Sequence, residues 1–591
     1  MRVFLGILVL ALVLRLLHAW QMASSPLYDE PAVDGMTYVA HARELAAGDW
    51  LGRDRPVFWQ PPLYPYVLGL VKLAFPDSFF HAVRWMQALW GALACALTCL
   101  LGTRLFSPRV GLAAGLAAAL CGPLIYFDGE ILPASLATLL GLSGLLLLLG
   151  ALRRGTPASF IPAGLLYGLA ALAVPTVLGF CLLAGAWIAW KGPSRLGAAL
   201  FLLGIAAAVL PVTLRNYAIG GEPVLISSNS GVNFHIGNSA DHERLVRIRP
   251  GWEWDDLVAG PVEAGIERRS ERSGWFWGQA REYMREQPLD YLALQARKGL
   301  GLLNGHEEGR NQGIYYWRHY SGVLAATLWK RVVAFPFGVL APLAVLGLVL
   351  AIHRRGLDPA TLFVLAYAAA VVAFFPTSRY RAPMLPVLLV LAAHAGCWLW
   401  DRLREGRYWP AVPAAGAVAL VGLVSNLGAG PMEMAGDAAI HYNIGQAHSR
   451  QGRAAEAGKA LTRAVELDPA YWQAWNDLGT IRAQQGDAAG AAAIFERVSR
   501  ARPDRPEPWV NLAHSYRALG RLDEAVPAYG RALSASGHLP NLYAGLMHLH
   551  LERGDPDAAR RVLEEAIERR PRERERLLHI FARLQSQRGH R

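Results

Sequence analysis

The sequence predicts an all-α protein in two parts: a polytopic membrane bundle of about eleven transmembrane helices, followed by a soluble α-solenoid. Three observations carry this. Apolar types make up 53% of the 591 residues and charged types 18%, with mean hydropathy +0.23, too apolar for a soluble protein of this size. The apolar residues are gathered into long runs that stop near residue 430. From about residue 437 the composition turns charged and a 34-residue period begins. Disorder, collagen and a purely soluble enzyme are excluded.

The apolar runs cover 3–20, 81–101, 110–126, 132–152, 161–173, 176–190, 196–214, 332–352, 360–375, 382–399 and 409–427. Most approach the ~20 residues that carry a helix across ~30 Å of hydrocarbon. The fifth and sixth are short and divided by Pro175, as in a tight hairpin or re-entrant pair. The first lacks a small-x-small exit and ends on Trp20, which favours a retained anchor over a cleaved leader.

The net charge of +12 is distributed unevenly: residues 437–591 hold 23 Lys+Arg against 19 Asp+Glu, leaving +8 in the apolar part. Much of that excess lies in short loops, at Arg104/Arg109, Arg153/Arg154, Lys191/Arg195, Arg354/Arg355 and Arg402/Arg404/Arg407. All five fall on one side if the N-terminus is cytoplasmic, the arrangement that the positive-inside tendency predicts for the inner (plasma) membrane. Loops 21–80 and 215–331, and everything after Leu427, then face the outer, periplasmic side. No basic helix with interleaved aromatics points to nucleic acid. The five cysteines lie inside apolar runs and form no disulfide or zinc pattern.

In the charged part, Gly452, Gly486, Gly520 and Gly554 recur every 34 residues. Ala457, Ala491, Ala525 and Ala559 keep the same phase, as do Leu461, Phe495, Tyr529 and Leu563. Pro469, Pro503 and Pro571 close three repeats, with Gly537 in the missing slot. Glycine at the inter-helix turn, alanine where helices touch and proline at the repeat end resemble tetratricopeptide repeats. That likeness implies about four repeats plus a capping helix over 437–591, with a groove for a peptide or protein partner.

Motifs for phosphate-cradling loops, zinc helices and nucleophile elbows are absent. His306-Glu-Glu308 lacks the second histidine of a zinc helix. What remains is a set of carboxylates at the mouth of the bundle: Asp29, Glu30 and Asp34, with Asp128 and Glu130 in the next outer loop. Carboxylates packed against apolar helix ends are desolvated and suited to proton transfer.

The stretch Asp34-Gly-Met-Thr-Tyr-Val-Ala-His-Ala-Arg-Glu44, then Ala47-Gly-Asp-Trp50 and Pro61-Pro-Leu-Tyr64, resembles the first outer loop of GT-C membrane glycosyltransferases. The pattern is similar to family-39-like protein mannosyltransferases and to the aminoarabinose transferase of lipid A. Arg215-Asn-Tyr217, Gly231-Val-Asn-Phe234 with Gly237-Asn238, and Ser378-Arg-Tyr-Arg-Ala-Pro383 continue it in order. A membrane transferase joined to tetratricopeptide repeats also resembles the repeat-bearing O-mannosyltransferases.

The resemblance implies a GT-C-like domain over 1–430 that moves a sugar from a polyprenyl-phosphate donor to a protein or glycan acceptor. It also implies Asp34 as the base, with Glu130 or its neighbour Asp128 as the second-loop acid. Many relatives carry Asp-Glu where this chain has Asp34-Gly35, so Asp29 remains the other candidate base. Arg379 and Arg381 are the first choices for the donor phosphate, since a guanidinium can grip phosphate in bidentate fashion. Arg84, Lys72 and Arg215 are further candidates. Relatives differ in metal use, so a divalent metal stays open as a cofactor. From other classes, a transporter or a membrane scaffold whose repeats mediate assembly is the competing reading.

Overall fold

The computed structural model describes residues 2–309, 313–427, 432–536 and 539–589; Gly537 lies outside them. It divides into two compact units, Met1–Glu433 and Met434–Arg591.

In the first unit, α1 (Arg2–Met22) leads into a loop that folds as α2 (Asp34–Ala46) and α3 (Leu63–Ala74), and α4 (Phe79–Leu105) packs back on α1. The third apolar run is broken: α5 (Pro108–Ala119) and α6 (Gly122–Gly129) meet at 50°. Gly122-Pro123 opens the new helix where proline's missing N–H costs nothing. Next come α7 (Ala134–Arg154), α8 (Ile161–Ala173), α9 (Leu178–Lys191) and α10 (Arg195–Gly220). Along the α8–α10 seam, a Cβ on Gly164 would run into the Phe201 carbonyl. Glycine there lets the two backbones touch.

The second long loop holds α11 (Ser230–Gly237), α12 (His242–Val246), α13 (Trp252–Glu263), α14 (Arg269–Glu286), α15 (Pro288–Leu303) and α16 (Gly322–Thr327). A two-residue ladder follows, β1 (Trp329–Lys330) against β2 (Ala334–Phe335), antiparallel with Trp329 opposite Phe335. The unit closes with α17 (Phe337–Arg355), α18 (Pro359–Ala373), the single turn α19 (Ser378–Arg381), α20 (Leu385–Arg404) and α21 (Tyr408–Asn426).

By length, the expected segments fall into two groups. Seven helices among the described residues are long and apolar enough to cross a membrane, or eight if the bent α5–α6 pair is one span. The runs at 161–173, 176–190 and 360–375 fold as α8, α9 and α18, only 13, 14 and 15 residues long. That falls short of the ~20 that a span requires on its own. The outward faces of the long helices suit lipid. Val13 on α1, Leu214 on α10 and Leu420 on α21 are more than half exposed, an arrangement disfavoured in water. Trp20, Trp190, Trp400 and Trp409, all at helix ends, are exposed as interfacial aromatics are. The opposite face of α1 buries Arg15 and His18, so α1 is an integral member of the bundle.

The second unit is a stack of helix pairs: α22 (Met432–Arg450) with α23 (Ala454–Leu467), α24 (Trp472–Gln484) with α25 (Ala488–Ala501), α26 (Pro506–Ala518) with α27 (Leu522–Ala535), and α28 (Pro540–Glu552) with α29 (Pro556–Arg569). The last helix is α30 (Arg574–Gly589). The turn glycines Gly452, Gly486, Gly520 and Gly554 have φ of 73°, 85°, 75° and 87°, a region that penalises any Cβ. The four phased alanines are fully buried where the helices of each pair meet. The prolines also serve the next helix: the indole N–H groups of Trp475 and Trp509 donate to the carbonyls of Pro469 and Pro503 at 3.1 and 3.2 Å.

Candidate active site

Asp34 occupies the first turn of α2, and Arg379 the single turn α19, 345 residues later. Their side chains form a half-buried ion pair, Arg379 NH1 to Asp34 Oδ2. The other carboxylate oxygen of Asp34 accepts from the Gln60 amide at 3.0 Å, and Gln60 accepts in turn from the Thr37 hydroxyl at 2.9 Å. The second arm of Arg379 donates to the Tyr38 hydroxyl at 3.3 Å. Both ends of the pair are therefore aimed by neutral polar partners.

Backbone strain sits beside it. Val33, immediately before Asp34, has φ of 52°, and a β-branched residue held there costs about 1–3 kcal/mol unless its surroundings enforce it.

A second layer carries the site into the bundle. The Tyr38 ring meets that of Tyr64 edge-on at 5.3 Å. The Tyr64 hydroxyl donates to Gln87, and the Gln87 amide donates to the backbone carbonyls of Asp128 and Glu130 at 3.0 and 2.7 Å. This chain joins the Asp34 loop to the second acidic loop. Burial pushes the Glu130 carboxyl up to about 7, against the opposing pull of Arg84. Near neutral pH it can therefore give or take a proton.

The other sequence candidates are committed elsewhere. Asp128 is locked in a buried ion pair with Arg15 at 2.6 Å and accepts from Ser135 at 2.5 Å. Gly91 makes room for it, since a Cβ there would strike the Asp128 carboxylate. Arg84 is buried and donates to the carbonyls of Tyr28, Phe80 and Gly129 at 2.8, 3.1 and 3.0 Å. It thereby orients both acidic loops. Arg381, expected at the donor phosphate, is instead paired with the buried Glu307 at 2.6 Å and lies over the Phe337 ring.

Arg215 donates to the carbonyls of Leu51, Gly52, Pro56 and Arg55, clamping the first loop onto the end of α10. Beside it, Asn216 donates to the carbonyls of Val224 and Ile226 at 3.0 and 3.1 Å. Lys72 donates to the Pro76 carbonyl at the end of its own helix. Asp29 is exposed on the loop surface. The structure therefore brings Asp34 and Arg379 together with Glu130 in the layer below, and engages Arg84, Arg215, Arg381 and Asp128 with other partners.

Sequence reasoning missed Gln60, Tyr38, Gln87 and Glu307. The first two fall within or beside quoted motifs, so their presence was visible but their direction was not. Glu307 was noticed only as half of a failed zinc motif. Among the described residues, no group of three or more His, Cys, Asp or Glu could hold a metal ion.

Comparison with known proteins concerns the second unit. Residues 442–506 and 516–584 match models of the tetratricopeptide repeat. A TPR repeat-containing protein of Pseudomonas aeruginosa is 36% identical over 61 residues, 10% of this chain and 58% of its own length. Protein FlbA of Caulobacter vibrioides is 30% identical over 95 residues, 16% of each chain. The chain thus spans less than two thirds of either relative. Among solved structures, the crystal structure of MamA protein covers 30% of this chain and 90% of its own at 17% identity and TM-score 0.23. The MamA fragment from Desulfovibrio magneticus covers 29% and 91% at 17% identity and TM-score 0.22. The C-terminal unit of this chain is an array of tetratricopeptide repeats.

Proposed function

We propose that the chain is an integral-membrane glycosyltransferase that moves a sugar from a polyprenyl-phosphate carrier to a protein or glycan acceptor at the outer face of the inner membrane, with the repeats recruiting the acceptor or an assembly partner. One observation carries the reading: a carboxylate and a guanidinium, 345 residues apart, meet in a half-buried mouth that neutral polar groups aim. The sequence resemblance to GT-C enzymes names these same two residues. In this reading α8, α9, α18 and the α5–α6 pair complete the bundle to about eleven membrane segments, and the basic loops face the cytoplasm.

The chemistry follows from the two groups. Asp34 takes the proton of the acceptor hydroxyl as its oxygen attacks the anomeric carbon. The bond from that carbon to the phosphate oxygen breaks on the opposite face, and polyprenyl phosphate departs with the electron pair. The configuration inverts. Arg379 stabilises the charge that grows on the leaving phosphate, a charge-assisted contact that strengthens towards the transition state. Glu130, whose carboxyl burial raises to about 7, is the second acid of this reading.

Asp34→Asn keeps the shape but cannot take a proton. Transfer should fall by about 10²–10⁴-fold with abundance unchanged, scored by mass spectrometry of host glycans against a deletion strain. Full activity in Asp34→Asn, in Asp29→Asn and in Glu130→Gln would reject the transferase and leave a membrane scaffold. That second reading is favoured by the confinement of the family matches to the repeats.

A further inference from the structure

Lys298 on α15 is 3% exposed, and among the described residues it pairs with no carboxylate. Its ammonium donates to three neutral oxygens: the Gly237 carbonyl at 2.9 Å, the Phe374 carbonyl at 3.0 Å and Asn238 Oδ1 at 3.0 Å. Three N–H groups meet three acceptors, a full use of the lysine head. Asn238 completes the set. Its amide donates to the carbonyls of Ala373 and Phe374's other neighbour in space, Phe234, at 2.8 and 2.9 Å, and its oxygen also accepts from Gln295 at 2.8 Å. Gly237 lets the strands of chain close up, because a Cβ there would strike the Phe374 carbonyl.

The carbonyls of Ala373 and Phe374 lie at the end of α18, where helical oxygens lack partners within the helix. Lys298 and Asn238 supply those partners, so the clasp fixes where α18 stops. Five residues later stands Arg379. The intervening segment is pinned as well: Phe375 is buried with its ring 5.4 Å from that of Tyr380. Downstream, the Ser378 amide donates to the Glu308 carbonyl at 3.0 Å, and Arg381 is tied to Glu307. Arg379 is thus suspended between two buried anchors that present its guanidinium to Asp34.

We propose that Lys298 is a positioning residue for Arg379, holding the end of α18 so that the guanidinium stands where the donor phosphate is gripped. This rests on the reading of Arg379 as the phosphate-binding group. Burial also lowers the Lys298 ammonium to about 7.

The test uses the full-length chain in detergent, titrated with a short-chain polyprenyl phosphate. Lys298→Met should weaken binding about tenfold, and Lys298→Arg, which restores donors and charge, should recover to within about threefold. In an Arg379→Ala background, Lys298→Met should cost nothing further, because two residues acting through one contact are not additive. Binding within twofold of wild type in Lys298→Met, or an equal added loss in the Arg379→Ala background, would overturn the proposal. If Lys298→Met does not fold, Gln295→Leu loosens the clasp from its edge; about threefold weaker binding supports the proposal and unchanged binding refutes it. Should Arg379→Ala itself bind normally, the phosphate assignment fails, a result distinct from failure of the clasp.

Discussion

The repeat unit and the N-terminal helical unit place their information at different ranges. In the repeats, a residue's role is set by its phase: the glycine of each turn sits at positive φ and the alanine of each contact is buried. Neighbouring pairs supply the rest, as where Asn511 reaches Asn476 at 3.2 Å, 35 residues away. In the N-terminal unit, a residue's role is set by partners far away in the chain. Arg15 finds Asp128 across 113 residues, Arg381 finds Glu307 across 74, and Arg379 finds Asp34 across 345. A periodic unit spreads its stability over many equivalent contacts; the N-terminal bundle adds to its apolar core a few buried polar pairs, each costly to break from one side.

The sharpest way to break this contrast is Arg15→Ala. It leaves Asp128 buried without its partner, and removing one side of such a pair costs about 3–5 kcal/mol. Thermal unfolding in detergent should show the first transition drop while that of the repeats stays in place. A common shift of both would mean that the units do not melt separately.

A smaller effect is expected inside the repeats at Asp477. Burial pushes its carboxyl up to about 6, against the opposing hydrogen bonds from Tyr442, Asn476 and Gln446. Between about pH 4 and 6 the folded chain keeps a proton that the unfolded chain has released. Stability therefore falls as pH rises through that window and is level above it. Residues 436–591 expressed alone should lose about 1–3 kcal/mol across it, and Asp477→Asn should abolish the dependence. An unchanged pH profile in Asp477→Asn would assign the slope to other groups.

The smallest effects have opposite signs. Gly486→Ala forces a Cβ into φ of 85° and should cost about 1 kcal/mol. Gly530→Ala, inside α27 with nothing within 4 Å of a new Cβ, should gain about 0.5–1 kcal/mol. Chemical denaturation of the same fragment measures both, and equal signs would count against phase as the governing rule.

These differences explain what could be read in the chain. Helix pairs, their turns and the junction near residue 430 are written in local composition and period. The shortness of α8 and α9 was also legible, in two short runs divided by Pro175; the bend at Gly122-Pro123 and the early stop of α18 were not, since apolar runs look alike whether they span or stop midway. At the site, Asp34 and Arg379 were each visible as a charge beside an apolar run. Their contact was not, and neither were the private partners of Arg381, Arg215 and Arg84, because nothing local distinguishes a guanidinium that grips carbonyls from one held for a ligand. Gln60 stands beside a quoted motif and Lys298 in none, and for both only the folded neighbourhood shows which groups they meet.

The span of 345 residues between Asp34 and Arg379 also sets a clock. At about 5–20 residues per second, the ribosome delivers Arg379 roughly 20–70 s after Asp34. Throughout that interval the first loop waits with its carboxylate lacking the Arg379 partner, and with the Arg215 clamp arriving only about halfway through. The site is therefore completed late in biogenesis, and a chain interrupted before residue 379 would present a first loop without the Arg379 contact.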